Sequence, residues 1–365
     1  MSGGVDSSVS AFLMKEAGYD CIGCTMRLYE NDIVGMDLMG TCCSIKDTND
    51  AKSVADTIGI EYRIFHYENL FREEVIEPFV CSYECGRTPN PCIECNRRFK
   101  FFYLYKKLEE LGLDLIVTGH YVRVEYDDKS GRYLLKKAVD LSKDQSYVLY
   151  MLTQEQLAHT RFPLGELEKT QVRKIAEKLG FVNANKGDSQ DICFVPDGDY
   201  VGFMERYRNK RYEPGEFVDR DGKVFGMTKG YVHYTIGQRK GLGISAANPL
   251  YVTEIKPKEN VVVLGSNEDL YSDTLIAGNV NFISVPSIDE PMRIKAKIRY
   301  RQTEQPATLY SYGHDMIKVV FDEPQRAITP GQAVVMYDGD TVVGGGTIEK
   351  VGCDAGEAEY DNRCT

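Results

Sequence analysis

No run of apolar residues in this 365-residue chain approaches the roughly 20 that a helix needs to cross a bilayer. Its first residues are polar and glycine-rich, unlike a signal peptide, so the expectation is a cytoplasmic protein with no membrane partner. The chain also lacks the Gly-Lys-Ser/Thr ending of the Walker-type phosphate loop, which argues against cleavage between β and γ phosphates in that style. Histidine is scarce. His66, His159, His233 and His314 have no partner that the sequence identifies, while His120 follows a strand-end glycine and is either a pocket residue or a satisfied structural one. Cysteine is not scarce: eleven in a chain with no leader point to reactive thiols or metal ligands. With 42% hydrophobic residues there is material for two or three cores.

What the chain does have comes first in it. Ser2-Gly3-Gly4-Val5-Asp6-Ser7-Ser8 runs into an apolar stretch of helical period, with Val9, Phe12, Leu13 and Ala17 on one face and Gly18 as the stop. Two glycines let backbone approach an anion, and the hydroxyls of Ser2, Ser7 and Ser8 are donors beside a helix N-terminus. Asp6 repels phosphate unless it caps the helix or faces Mg2+, so a metal-bound nucleotide is expected. The plainer reading is a Gly/Ser turn capping a helix. The pattern resembles the PP-loop of ATP pyrophosphatases, which split ATP between the α and β phosphates. Members of that group carry a short hydrophobic strand before the loop, and with the loop starting at residue 2 the sheet is expected to lack it.

The net charge is -11, yet Arg293, Lys295, Lys297, Arg299 and Arg301 alternate with Ile294, Ala296, Ile298 and Tyr300. On a β-strand this puts five cations on one face, which suits a polyanion, or else a solvated face with acidic cross-strand neighbours. Smaller basic clusters lie at Arg97, Arg98, Lys100, Lys106 and Lys107, interleaved with aromatics that read as helix core, and at Arg206, Arg208, Lys210 and Arg211.

Strand patterns at 21–28, 61–65 and 114–118 alternate with helical ones near 48–58, 70–83 and 97–111. This predicts an α/β fold, a parallel sheet with helices on both faces and ligand at the strands' carboxyl ends, where Gly119-His120-Tyr121 sits. A hairpin around Ser130-Gly131 and a helix at 168–179 complete a domain spanning 1–200. Short β runs and turn pairs then indicate a small central domain at 201–273 and a β-barrel at 274–365, closing in a polar tail from Cys353 to Thr365.

Two stretches carry further chemistry. Gly86-Arg87-Thr88-Pro89-Asn90-Pro91-Cys92-Ile93-Glu94-Cys95-Asn96 holds a Cys-x-x-Cys, and Cys95, expected at a helix start beside Arg97 and Arg98, is a candidate nucleophile. Gly187-Asp188-Ser189-Gln190-Asp191-Ile192-Cys193-Phe194 has one cysteine, which alone reads as a buried structural thiol. Cys21 and Cys24 read as strand core, and Cys42 and Cys43 as structural.

Together with Thr118-Gly119-His120-Tyr121, Lys143-Asp144-Gln145-Ser146, Gly237-Gln238-Arg239-Lys240-Gly241 and Arg299-Tyr300-Arg301-Gln302, these motifs resemble the tRNA-specific 2-thiouridylases over nearly the whole chain. The resemblance implies adenylation of the C2 oxygen of the wobble uridine (position 34) of tRNA, and its replacement by sulfur from a cysteine persulfide. It implies ATP and Mg2+ as cofactors. The implied partners are tRNA and an upstream persulfide carrier or cysteine desulfurase. Carried over, Ser2, Gly3, Gly4, Val5, Asp6, Ser7, Met26 and Gly119 hold ATP. Cys95 is the nucleophile and Cys193 carries the persulfide. Asn90, Pro91 and Cys92 meet the base, and Lys143, Asp144, Gln145, Arg299 and Tyr300 contact tRNA.

Many family members have Asp where this chain has Cys92. The change creates a set of three thiols, Cys92, Cys95 and Cys193, that would suit a [4Fe-4S] cluster with one open iron, an alternative to the persulfide route. Cys81 and Cys85 with Cys92 and Cys95 would instead suit structural zinc. Two other classes stay open: a small-molecule PP-loop pyrophosphatase such as an amidating synthetase, and a non-catalytic RNA- or zinc-binding protein.

Overall fold

The structure, a computed structural model, describes residues 1–29, 45–188 and 191–352. Cys42, Cys43, Ser189, Gln190 and the tail from Cys353 lie outside the described residues. Helix α1 (Val5–Glu16) follows Gly4, whose extended backbone turns the chain into the helix, and buries Val5, Val9 and Met14. Strand β1 (Ile22–Arg27) pairs in parallel with β2 (Glu61–His66), and α2 (Ile45–Ile58) joins them with Ala51, Val54 and Ala55 buried at helical spacing. A second parallel pair unites β3 (Ile116–Val117) with β6 (Thr160–Arg161). The parallel strands of residues 1–200 thus form two separate pairs, and Met1 lies against β1, its carbonyl accepting from the Thr25 hydroxyl at 2.5 Å.

Two helical runs carry much of the remaining core. Residues 68–84 contain a π-turn at Arg72–Ile76, and residues 91–111 contain one at Asn96–Tyr103. The second run begins earlier than its apolar period suggests. Pro91 sits at the first helical position with φ preset, and the Asn90 side chain accepts from the Cys92 N–H at 3.2 Å. Cys92, not Cys95, therefore occupies the first turn. Cys21 and Cys24 are half-buried, so neither is core, and Cys21 precedes β1.

The middle of the chain forms a four-stranded sheet from β7 (Glu216–Val218), β8 (Val224–Met227), β9 (Tyr251–Lys256) and β10 (Val261–Gly265), in the order β8-β7-β10-β9. Beyond it, β11 (Tyr271–Phe282), β12 (Met292–Lys297), β13 (Gln305–Ser311), β14 (Ile317–Arg326), β15 (Ala333–Asp338) and β16 (Thr341–Val351) close into a six-stranded barrel through β11–β16 pairing. The basic stripe is shorter than its alternation predicts. β12 ends at Lys297, where Ile298 N–H turns to the Gln302 side chain at 3.0 Å instead of the ladder, so Arg299 and Arg301 lie past the strand.

The hairpin β4 (Val122–Asp127) and β5 (Arg132–Lys137) does not simply complete the first domain. It extends the barrel sheet, Lys136 pairing with Thr341 of β16. Val122, Leu135, Tyr147, Tyr150 and Leu157 share one core with Ile283, Val335, Tyr337 and Val342 of the barrel. Polar ties reinforce it: Asn281 donates to the carbonyls of Tyr150 (2.7 Å) and Leu152 (2.9 Å), and Tyr147 hydroxyl to that of Ala333 (2.8 Å). Among the described residues no helix is long and apolar enough to cross a membrane. Truncating Leu135 to Ala in this shared core is expected to cost about 2–5 kcal/mol. Denaturant titration should show one transition, displaced as a whole, because barrel and hairpin are packed as a unit.

Candidate nucleotide and polyanion cleft

The welded units enclose an open cleft of about 1570 Å³. Ser2, Gly4, Val5 and Asp6 line one side. Lys295, Lys297 and residues 299–304 line the barrel side, with Lys143-Asp144-Gln145 and Thr235–Gln238 completing the rim. Eight Lys and Arg side chains face it against five carboxylates, in a chain whose net charge is -11.

The loop is built for close backbone approach. Gly3 has φ +70°, and an added Cβ would strike the Asp47 backbone. Gly4 provides no side-chain cap for α1, and Gly4, Val5 and Asp6 at its start line the cleft. Ser7 hydroxyl lies 3.3 Å from that of Ser2 and donates to Gly4 carbonyl at 3.1 Å. Ser8 differs from expectation: fully buried, its hydroxyl bonds Gly4 carbonyl (3.0 Å) and Asn183 (2.9 Å), so it supports the loop and does not present a donor to the cleft. These features fit a phosphate chain.

Asp6 neither caps the helix nor stands open. Both its oxygens accept from Lys169 Nζ at 2.8 Å, and Tyr121 hydroxyl donates to it at 2.8 Å. Lys169 also reaches Asp188 at 2.8 Å, and Asp188 receives Lys143 (2.9 Å) and Arg173 (3.2 Å). Burial alone would raise the Asp188 carboxyl, but Lys169 and Lys143 outweigh it and hold the group below its ordinary value. Burial and the Asp6 charge push the Tyr121 phenol far up, so it stays a donor. On the other side of the loop Lys186 bonds Gly3 carbonyl (3.0 Å), Asp47 and Asp50.

Residues 86–91 are held by the barrel: Thr88 N–H donates to Pro330 carbonyl at 3.0 Å, and Gln332 donates to Thr88 carbonyl at 2.9 Å. Cys92 is exposed, and the Tyr300 phenol is raised by burial first, then by Asp144, with Cys92 a smaller contributor. Cys95 and Cys193, remote in sequence, pack half-buried on one apolar cluster containing Phe71, Phe99, Phe194 and Phe203, and Tyr29 hydroxyl donates to Cys193 carbonyl at 2.9 Å. Among the described residues no three His, Cys, Asp or Glu side chains stand together so as to hold a metal ion. Neither the three-thiol nor the four-cysteine set is assembled as ligands.

A family model described as tRNA methyl transferase HUP domain matches residues 1–197. Models described as tRNA methyl transferase PRC-barrel domain and aminomethyltransferase beta-barrel domain match 201–266 and 272–348. The "tRNA-specific 2-thiouridylase MnmA" of Clostridioides difficile (strain 630) is 53% identical over 96% of this chain and 97% of that protein. The chain belongs to the tRNA-specific 2-thiouridylase family. A second relative, "tRNA-specific 2-thiouridylase MnmA 1" of Thermoanaerobacter sp. (strain X514), is also 53% identical, over 96% of each chain. An NMN synthetase structure from Francisella tularensis, 18% identical, overlaps 58% of this chain and 76% of its own at a TM-score of 0.32, which carries no argument.

Of the residues matched to the 2-thiouridylase motifs, Ser2, Gly4, Val5, Asp6, Lys143, Asp144, Gln145, Arg299 and Tyr300 meet in the cleft. Gly3 and Ser7 lie in the loop behind it. Met26 packs against the aromatic cluster, and Asn90, Pro91 and Cys92 form a helix start beside the barrel. Asp144 is turned inward: its carboxylate accepts from Ala138 N–H (3.1 Å) and Ser146 hydroxyl (2.7 Å), leaving its carbonyl to Tyr300 hydroxyl at 3.0 Å. His120 is buried, bonded to Thr118 at 2.8 Å and kept neutral by burial and Lys100, so the structural reading of it holds. At Arg293 the solvated-face reading holds, since Asp322 pairs with it at 2.7 Å. Arg208 and Lys210 are likewise neutralised by Glu84 at 3.0 and 2.6 Å.

Sequence reasoning missed Lys169 and Lys186. The one clue to Lys169 was a lysine opening a helix, where the dipole opposes a cation. Gly119 packs directly on the loop: an added Cβ would lie 2.7 Å from Asp6 C and Ser7 N. Substitution of Gly119 by Ala is expected to weaken Mg-ATP binding about tenfold, or about 1.4 kcal/mol. Calorimetric titration reads this, with the thermal midpoint checking that the fold persists.

Proposed function

We propose that the protein replaces the C2 oxygen of uridine 34 in tRNA by sulfur, at the expense of ATP. The observation that carries this reading is the presence of two devices in one chain: a phosphate loop facing a cationic cleft, and two cysteines remote in sequence on one apolar cluster. A small-molecule synthetase needs the loop but neither the thiols nor the basic wall. Methyl transfer, the word in two of the model descriptions, needs neither ATP cleavage nor paired thiols.

A ring oxygen is a poor leaving group, and ATP supplies the adenylyl group that converts it into one. Ser2, Gly3, Gly4, Val5 and Ser7 would hold the phosphates, with Met26 and Gly119 near the nucleoside. Mg2+ drawn to Asp6 has to compete with Lys169 for that carboxylate. In the proposed transfer, Cys95 thiolate attacks the Cys193 sulfur of a Cys193 persulfide. The S–S bond to the outer sulfur breaks and hydrosulfide leaves to displace AMP at C2. A Cys95–Cys193 disulfide remains, which takes two electrons from an external thiol before the next turn. The persulfide sulfur comes from a carrier protein or desulfurase. Asn90, Pro91 and Cys92 would meet a base flipped from its stack. Lys143, Gln145, Arg299 and Tyr300 would meet the tRNA, with Asp144 acting by its backbone. A division into domains at 1–200, 201–273 and 274–365, in a cytoplasmic protein, belongs to the same proposal.

The test is mass analysis of nucleosides from tRNA incubated with the protein, Mg-ATP, a persulfide donor and reductant. ATP-dependent 2-thiouridine is expected, and Cys95→Ala and Cys193→Ala should each cut it by roughly 100-fold or more with Mg-ATP affinity unchanged. Intact ATP binding with no thiolated uridine refutes the reading. For tRNA binding, Lys295→Ala and Arg301→Ala should each lower the slope of log K against log salt by about one. Arg293→Ala, already paired to Asp322, should leave the slope alone.

A further inference from the structure

Lys169 stands where stability alone would not place a cation. It opens helix α3 (Lys169–Lys178), at the positive end of the helix dipole, and its side chain is only 9% exposed. Both features cost free energy unless anions answer them, and two do: Asp6 in the nucleotide loop and Asp188 in the segment leading to Cys193, each at 2.8 Å. Tyr121 adds its ring, with Nζ 5.6 Å from the centroid, and its hydroxyl on Asp6. Lys169 lines the cleft together with both of its carboxylates.

This arrangement resolves a conflict inside the loop. Asp6 lies in the first turn of α1, among the N–H groups that would receive phosphate, and its charge alone would repel that phosphate. With Lys169 bound to both of its oxygens, the carboxylate is neutralised and fixed in orientation. Resting on the reading that the loop at residues 2–8 binds ATP, we propose that Lys169 is a positioning residue of the nucleotide site. It cancels Asp6 towards the phosphates, shares Asp188 with Lys143 and Arg173, and so ties the nucleotide loop to Asp188. Without it, Asp6 faces an incoming polyanion with only the Tyr121 hydroxyl upon it, and Asp188 is left to Lys143 and Arg173.

The experiment is equilibrium binding of Mg-ATP to the full-length protein without tRNA, so that sulfur transfer plays no part. Lys169→Met should raise Kd roughly 10- to 100-fold, and Lys169→Arg, which keeps the charge, should restore most of the loss. Adding Asp188→Asn to Lys169→Met removes one negative charge from the site, frees Lys143 and Arg173 towards the phosphates, and should recover affinity about threefold or more. A merely structural lysine predicts the reverse, because the second substitution deletes another polar contact. Lys169→Gln serves if Lys169→Met fails to fold, circular dichroism and thermal melting deciding that. Lys169→Met or Lys169→Gln binding Mg-ATP within twofold of the parent overturns the proposal, as does a double variant weaker than the single. Absence of Mg-ATP binding by the parent protein overturns the nucleotide-site reading itself and the proposal with it.

Discussion

Everything functional in this molecule depends on the apolar core that the N-terminal unit shares with the barrel. Tyr147, Tyr150 and Leu135 are buried against Val335, Tyr337 and Val342, and the hairpin that carries Leu135 continues the barrel's own sheet. Such a joint is more like one domain's interior than a contact between domains, which is ordinarily smaller and more polar. Because side chains there are packed at crystal-like density, the two walls of the cleft stand at a fixed separation. The nucleotide loop contributes one wall and the end of β12 the other, and neither could be placed against the other by its own element alone.

Electrostatics is then a matter of local bookkeeping within an acidic chain. Several surface cations are answered nearby: Arg293 by Asp322, Arg208 by Glu77 and Glu84, Lys136 by Glu125. Within the cleft the balance is reversed, and its carboxylates are already engaged. Asp6 and Asp188 share Lys169, Asp47 holds Lys186, Asp144 accepts from Ala138 N–H and the Ser146 hydroxyl, and Glu304 receives Lys137 at 2.5 Å. What remains towards solvent is positive, so a polyanion is drawn to this face despite a net charge that would repel it elsewhere.

How much of this was legible in the sequence follows the range of the interactions. Helix α1, its glycine stop, the alternation of strands and helices and the closing barrel rest on local period and turn chemistry, and they stand where expected. The early start of the helix at Pro91 was also local, but the proline and the Asn90 cap argue for it only when weighed above apolar period. The partner of the hairpin was not legible, because an edge strand's ladder names no partner until the barrel exists. Ser8 looked like Ser7 in the motif, and only the arrival of Asn183 separates a buried support from an open donor. Lys169 and Lys186 belong to no local pattern. Their meaning comes chiefly from Asp6, Asp47 and Asp50, each more than a hundred residues away.

The helix at 91–95 shows why the two halves of the site need not coincide. Its first turn places Cys92 on the exposed side, within electrostatic reach of Tyr300 at the cleft, while Cys95 packs on the aromatic cluster with Cys193. Residues three apart on a helix are surface neighbours, with Cβ atoms about 5–6 Å apart. The Cys95 thiol, half-buried with that of Cys193 on Phe71, Phe99 and Phe194, thus lies about one helical turn from exposed Cys92. On the proposed reading, separation of the thiol cluster from the nucleotide loop is what keeps the sulfur from being spent before a uridine has been activated.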